Sequence, residues 1–217
     1  MILGMPNASS DGIDLANRIA ERTLASRSEQ YAGEVRRLLD AGLTVMRRCG
    51  TSSSPRVADV VAEAGLSNDA FYRHFPSKQA LFAAILEDGT SRLASYLSHQ
   101  MDKDRTPEGK VRRWVEGVLA QAAEAESAET TLAVTWNAGS VSEGLDGSRP
   151  STVAMLAPLL HEPLAELGSR DPVLDATMVA HVTIGRLSDH LWQQTAPTRA
   201  EVAHHVALVL RAVGAGL

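Results

Sequence analysis

The chain has 217 residues and is 44% apolar, enough to bury the core of one or two domains. The lone Cys49 rules out an internal disulfide, and neither a basic apolar leader nor a run of about 18 apolar residues is present, so the sequence reads as soluble, cytoplasmic and without a membrane partner. A net charge of −5 argues against a protein that coats nucleic acid by bulk attraction, yet the acid is local: residues 101–217 hold 10 basic and 15 acidic residues, whereas residues 1–100 hold 11 of each.

Residues 1–28 contain Asn7, Ser9, Ser10 and Gly12 and then IDLANRIAERTL, whose spacing suits a short helix. Two readings stay open for this segment: a loosely attached tail, or a basic arm that lays Arg18, Arg22 and Arg27 along a minor groove. Over residues 31–48, Val35, Leu38, Leu39, Gly42, Val45 and Met46 keep a helical period, which predicts a helix backing whatever follows. Arg47 and Arg48 fall in its last turn, where the helix dipole favours a cation.

Residues 56–78, RVADVVAEAGLSNDAFYRHFPSK, predict two short helices, a tight turn and the start of a third. Ser54 is expected as N-cap with Pro55 at the first helical position. Val57, Val60, Val61 and Ala64 recur at i, i+3, i+4 and i+7 and give one buried face. Gly65 can take the left-handed conformation that closes this helix, and Ser67 caps a second one, which is helix-turn-helix spacing. On the second helix Phe71 and Phe75 form one side; Asp69, Tyr72 and Arg73, with Asn68 at the margin, form the other. That outer side carries a carboxylate, a phenol and a guanidinium, groups that reach base edges and phosphates. Ser77 then caps a third helix with Lys78 in its first turn, beside free N–H groups, where an anion would relieve the unfavourable placement of a cation. Between residues 31 and 78 seven basic residues face five acidic ones, the weak surplus of a small reading head on an acidic body.

The stretch AGLSNDAFYRHFPSKQAL resembles the DNA-binding signature of the TetR family of bacterial transcriptional regulators, matching its pattern at Ala64, Gly65, Ser67, Phe71, Tyr72, Phe75 and Lys78. The resemblance implies that the second helix enters the major groove of an operator. It makes Ser67, Tyr72 and Lys78 phosphate contacts and Asn68, Asp69 and Arg73 base readers. Family members usually open the first helix of the pair with Thr or Ser; here Pro55 and Arg56 follow the serine run, and Arg56 is counted with the DNA contacts at that place. The resemblance also implies a homodimer joined through the last two helices.

Beyond the head, a long helix is expected from Lys78 to about Met101, with Gly89 as its weak point. Thr106 and Pro107 start another that carries Val111, Trp114, Val115, Val118 and Ala122. An apolar stretch around residues 132–141 holds Trp136, and residues 142–150, SEGLDGSRP, read as a loop. Residues 151–167 read as helix that Pro158 and Pro163 must kink or divide. Asp171 and Pro172 begin a helix to about Gln194 that is apolar on nearly every side, and Val202, His205, Val206, Val209, Leu210 and Val213 supply the last one. A helix apolar all round needs a second burial partner, which predicts a dimer seam at Val179, Leu187, Val206 and Leu210.

The sequence thus predicts an all-α chain: a tail or arm at 1–28, a three-helix helix-turn-helix domain at 29–90, and a larger helical effector-binding and dimerisation domain at 91–217. Seven histidines without HExxH spacing or a cysteine partner offer no metal site, and no nucleophile elbow or phosphate-cradling glycine loop appears, so neither enzyme nor cofactor is expected. Trp114, Trp136, Met155, Met178 and His181 need no explanation beyond core packing; the TetR resemblance implies, as the other reading, that they line a pocket for a small apolar effector. The function expected is a homodimeric repressor on a palindromic double-stranded DNA operator, released by that effector. The readings kept beside it are a DNA-binding regulator whose second domain serves only as a dimer or partner module, and a helical small-molecule-binding or catalytic domain.

Overall fold

From Ile13 to Ala32 the chain has neither glycine nor proline, so nothing interrupts a helix there. In the computed structural model, which describes residues 8–139 and 151–214, helix α1 accordingly runs unbroken over Ala8–Cys49. It passes straight through residue 28, where the sequence reading divides an arm from the head. Residues 17–32 of α1 are exposed, and burial begins only with Leu38.

Helix α2, Val57–Ala64, buries Val60, Val61 and Ala64 as the period requires. It does not start at Pro55. Arg56 holds the N-cap position in extended backbone without a side-chain cap, and Asp59 in the first turn takes the guanidinium instead. Its C-terminus closes as expected: Gly65 sits at φ 62°, and the N–H groups of Leu66 and Gly65 donate back to Val61 and Ala62. Ser67 accepts from the Ala70 N–H at 3.1 Å and opens α3, Asn68–His74, which buries Ala70 and Phe71. Ser77 does the same for Ala80 and opens α4, Lys78–Met101.

Two buried clusters form, and α4 belongs to both. Leu38, Val45, Met46, Val60, Phe71, Leu81, Phe82 and Ile85 close the first. Leu97 and Met101, twelve residues and more further along α4, enter the second with Val111, Trp114, Val118, Leu160, Leu164 and Ala180. The second is built on α5 (Pro107–Leu119), α6 (Ala125–Gly139), α7 (Thr152–Leu156), α8 (His161–Glu166), α9 (Pro172–Gln193) and α10 (Arg199–Gly214). Pro158 lies in the 3-10 turn over Ala157–Leu160 that separates α7 from α8, whereas Pro163 falls within the first turn of α8, where a missing N–H costs no helical hydrogen bond. The loop expected at residues 142–150 lies outside the described residues. Among the described residues there is no strand, no helix long and apolar enough to cross a membrane, and no cluster of three metal-ligating side chains.

Helices α9 and α10 are held by polar groups as well as apolar ones. Arg186 pairs with Glu201, whose Oε1 also lies 3.0 Å from His190 Nε2. Glu201 is thereby engaged across helices rather than with His205 on its own. His205 is buried against the Thr183 hydroxyl at 3.0 Å, and burial pushes its pKa below the usual histidine value.

Trp114 is fully buried, and its indole Nε1 donates to the Leu156 carbonyl at 3.2 Å, tying α5 to α7. Trp114→Phe keeps most of the apolar contact but leaves that carbonyl without its donor. The expected loss is about 1–3 kcal/mol of unfolding free energy in urea titration; a variant as stable as the parent would assign the tie no weight.

Candidate nucleic-acid interface

Three neighbouring elements present the polar groups that the sequence singles out. Asn68, Asp69, Tyr72 and Arg73 are all exposed on α3, opposite the buried Ala70 and Phe71. The Tyr72 ring stands edge-on to Phe71 with centroids 5.2 Å apart and leaves its hydroxyl outward. Ser67 is occupied as the N-cap of α3, so its side chain positions the helix before it can touch anything else. Arg56 is exposed but doubly paired with Asp59, at 3.0 and 3.2 Å, which holds the guanidinium along α2.

Lys78 does not lie over the N-terminus of its own helix. Its Nζ reaches back to the Ser54 hydroxyl at 2.9 Å and to the Pro55 carbonyl at 3.5 Å. This relieves the unfavourable placement of a cation in a first helical turn and pins the segment before α2 to the start of α4. Ser54, expected to cap α2, is instead the acceptor for this lysine.

A residue the sequence reading passed over, Glu34 on α1, governs the end of α3. One oxygen, Oε2, accepts from Arg73 Nη2 at 3.1 Å and lies 2.7 Å from Nε2 of His74. His74 is fully buried as a side chain and meets the Tyr31 ring at 4.2 Å in a T-shaped contact. Its Nδ1 is buried without a hydrogen-bond partner, which fits an imidazole donating from Nε2 and leaving only a lone pair unmet. The His74 hydrogen bond, with help from the Arg73 and Arg37 charges, holds the Glu34 carboxyl below the usual carboxylate range against the opposing effect of burial. The clamp is therefore complete at neutral pH and dissolves only as the pH falls below the ordinary carboxylate value through this lowered one. Nothing in the local pattern around Glu34 marks it, since its partners lie about 40 residues away.

The body meets the head at a cavity of about 290 Å³ between α1, α4, α5, α6, α7 and α9. Leu39, Asp40 and Leu43 line it from α1, Gly89 and Leu93 from α4, and Val134 and Ile184 from α6 and α9. None of the five expected pocket residues is among its walls. Trp114 is core; Met155 is half-buried elsewhere; Met178 and His181 lie on the outward side of α9. Trp136 stands exposed, edge-on to Trp192 at 5.3 Å. The residues expected at a dimer seam lie as follows. Val179, Leu187 and Val206 belong to the subunit's own core, and Leu210 packs at its margin, lining a groove between α5 and α10. The apolar side chains that α9 and α10 leave uncovered are Val173, Leu174, Met178, Val182, Trp192 and Leu208. An apolar-all-round helix has a face for each partner, and periodicity alone does not say which face is which.

Residues 38–85 match the family model described as bacterial regulatory proteins, tetR family. None of the curated proteins matches the sequence. Among solved structures, a TetR-family transcriptional regulator from Pectobacterium atrosepticum is 22% identical, with a TM-score of 0.57 over 89% of this chain and 94% of its own. RolR, solved with resorcinol, is 19% identical with a TM-score of 0.60 over 86% and 90%. FadR from Bacillus subtilis, solved with stearoyl-CoA, is 14% identical with a TM-score of 0.54 over 84% and 98%. At these identities the likeness is one of fold, and it extends through the helical body that the family model leaves unmatched. Residues 38–85 thus carry the DNA-binding head of the tetR family of bacterial regulatory proteins, joined through α4 to a helical body that shares the fold of these regulators.

Proposed function

We propose that the protein is a homodimeric repressor that leaves a palindromic operator when a small, largely apolar effector enters the cavity between head and body. The observation that carries this reading is the cavity's position. Its walls come from α1 and α4, which build the head, and from α5, α6 and α9, which build the body. An occupant there bears on both at once. The structural relatives solved with resorcinol and stearoyl-CoA support a ligand in a body of this fold. In this reading the head is residues 29–90 and the body 91–217, with the exposed first part of α1 as an arm.

The proposed DNA face is the outward side of α3. In this reading Arg73 and Asn68 meet base edges, Tyr72 and Lys78 meet phosphates, and Asp69 accepts from a base donor; the exposure of α3's outer side supports it. Glu34 aims Arg73. Two such heads reading successive major grooves, about 34 Å apart, need a fixed spacing, which a dimer through the uncovered face of α9 and α10 would supply. An effector that favours the released spacing by about 3 kcal/mol lowers operator affinity roughly a hundredfold. Sequencing DNA retained by the purified protein from a randomised pool tests the core of the proposal: a two-fold symmetric site is expected, and an unsymmetric one would overturn the dimeric reading of the operator.

Replacing Lys78 by Ala should weaken binding to all sequences alike and lower the salt slope by about one, as loss of a phosphate contact does. Replacing Arg73 by Ala should instead relax preference at one base step by about 1–3 kcal/mol. Glu34→Ala should blur the same step, and adding it to Arg73→Ala should have little further effect on preference, because it acts through that side chain. Preference unchanged in both single variants would remove Arg73 and Glu34 from readout.

Charge on the uncovered face should separate the subunits without unfolding them. Met178→Asp is expected to sediment as a folded monomer with lost operator affinity, whereas Val179→Asp, one residue on, buries its carboxylate in the subunit core and should unfold the chain. A Met178→Asp protein that remains a dimer places the seam elsewhere.

A further inference from the structure

We propose that the cavity between head and body selects a compact ring compound, neutral or cationic and bearing hydrogen-bond donors, and rejects carboxylates and phosphates; this rests on the effector reading above. Size is the first argument. About 290 Å³ lies just below the roughly 300–1,000 Å³ found for ligand pockets, room for one small ring system rather than a long acyl chain.

Charge is the second. The lining carries two carboxylates, Asp40 and Asp88, against one guanidinium, Arg92. Arg92 is already paired with Asp88 at 2.7 Å, and the Asp40 carboxylate has no cationic partner among the described residues. All three side chains reach solvent, so what counts against an anion is the surplus of one carboxylate among the charges that line its way in. A ligand that donates a hydrogen bond, or carries an ammonium, meets a free acceptor instead.

The hydroxyls point the same way. Thr90 donates to the Leu86 carbonyl, Thr130 to that of Glu126 and Thr135 to that of Thr131, at 2.7–2.8 Å. Their protons are committed, and what they still offer is acceptor lone pairs. Ser188, Thr131 and Thr152 can donate or accept and do not discriminate, and Gln121 turns one amide hydrogen to the Gly117 carbonyl. The remaining walls, Leu39, Leu43, Leu93, Val134 and Ile184 among them, supply the apolar surface a ring needs. Because Leu39 stands little more than one helical turn beyond Glu34 on α1, such a ring bears on the helix that aims Arg73 as well as on α4.

Calorimetry on the full chain at neutral pH with 2-naphthol, 2-naphthylmethylamine and 2-naphthoate tests this, since the three share a ring and differ in charge and donor. The naphthol and the amine are expected to bind, and the naphthoate at least about tenfold more weakly. Asp40→Asn should weaken the amine most and narrow the naphthoate's disadvantage. Gly89→Leu fills the cavity from a position where an added Cβ meets nothing within 4 Å, and it should abolish binding; Val134→Trp does so from the opposite wall, and thermal unfolding shows that each variant is folded. Naphthoate bound as tightly as naphthol, and lost in both filled variants, would overturn the ligand class while leaving the effector site in place. Binding of no probe, or binding that survives both filled variants, would overturn the site itself.

Discussion

Helix α4 is the constraint on which the rest depends. It is 24 residues long, about 36 Å at 1.5 Å per residue, and its two ends are buried in different cores. Leu81, Phe82 and Ile85 anchor it among α1, α2 and α3, and Leu97 and Met101 anchor it against α5. A rigid rod held at both ends transmits a change of packing from one core to the other. The stretch between the anchors passes Gly89 and Leu93, where the packing opens into the cavity. A second molecule in that gap would bear on the helix that both cores share.

A second link runs through α1. Its Arg47 pairs with Glu126 on α6 at 2.6 Å, and the Gly50 carbonyl just past its end accepts from the Asn137 amide at 3.2 Å. The same helix carries Glu34, which holds Arg73 and His74 at the far end of α3. Exposed ion pairs such as Arg47 with Glu126 contribute little stability alone. Glu34 differs because one carboxylate oxygen serves both partners and is itself only slightly exposed. What it sets is direction: a guanidinium on a seven-residue helix, free to swing on its own, is given one orientation by a residue on another element. The two long helices of the head therefore both enter the core that seats the reading helix and both line the cavity.

Much of this was legible in the chain. The apolar period of Val57, Val60, Val61 and Ala64, the left-handed glycine at 65 and the serine caps at 67 and 77 are local rules, each satisfied within a few residues, and the structure obeys them. So do the starts at Thr106 with Pro107 and at Asp171 with Pro172, where the side-chain caps form as expected. The start of α2 is different because Ser54 had two suitors, its own helix and Lys78 24 residues on, and the distant lysine holds it.

Periodicity determined which helices exist and which of their faces are apolar; tertiary structure alone decided what each apolar face covers. On α9 the sequence marks Met178 and Val179 alike, adjacent apolar residues on a helix apolar nearly all round. In the fold Val179 enters the subunit core and Met178 points outward, because adjacent residues on a helix stand about 100° apart and only the arrival of α5, α8 and α10 distinguishes the two directions. Trp114 and Trp136 part in the same way, one sealed beneath α7 and the other exposed against Trp192. A cavity is the extreme case, a place defined by what several distant segments fail to fill, and so no stretch of sequence carries its signature. The reading head is the opposite: its caps, turn and two short helices lie within residues 57–80 and are dictated by local chemistry, which is why its nature could be read from the chain before its setting could.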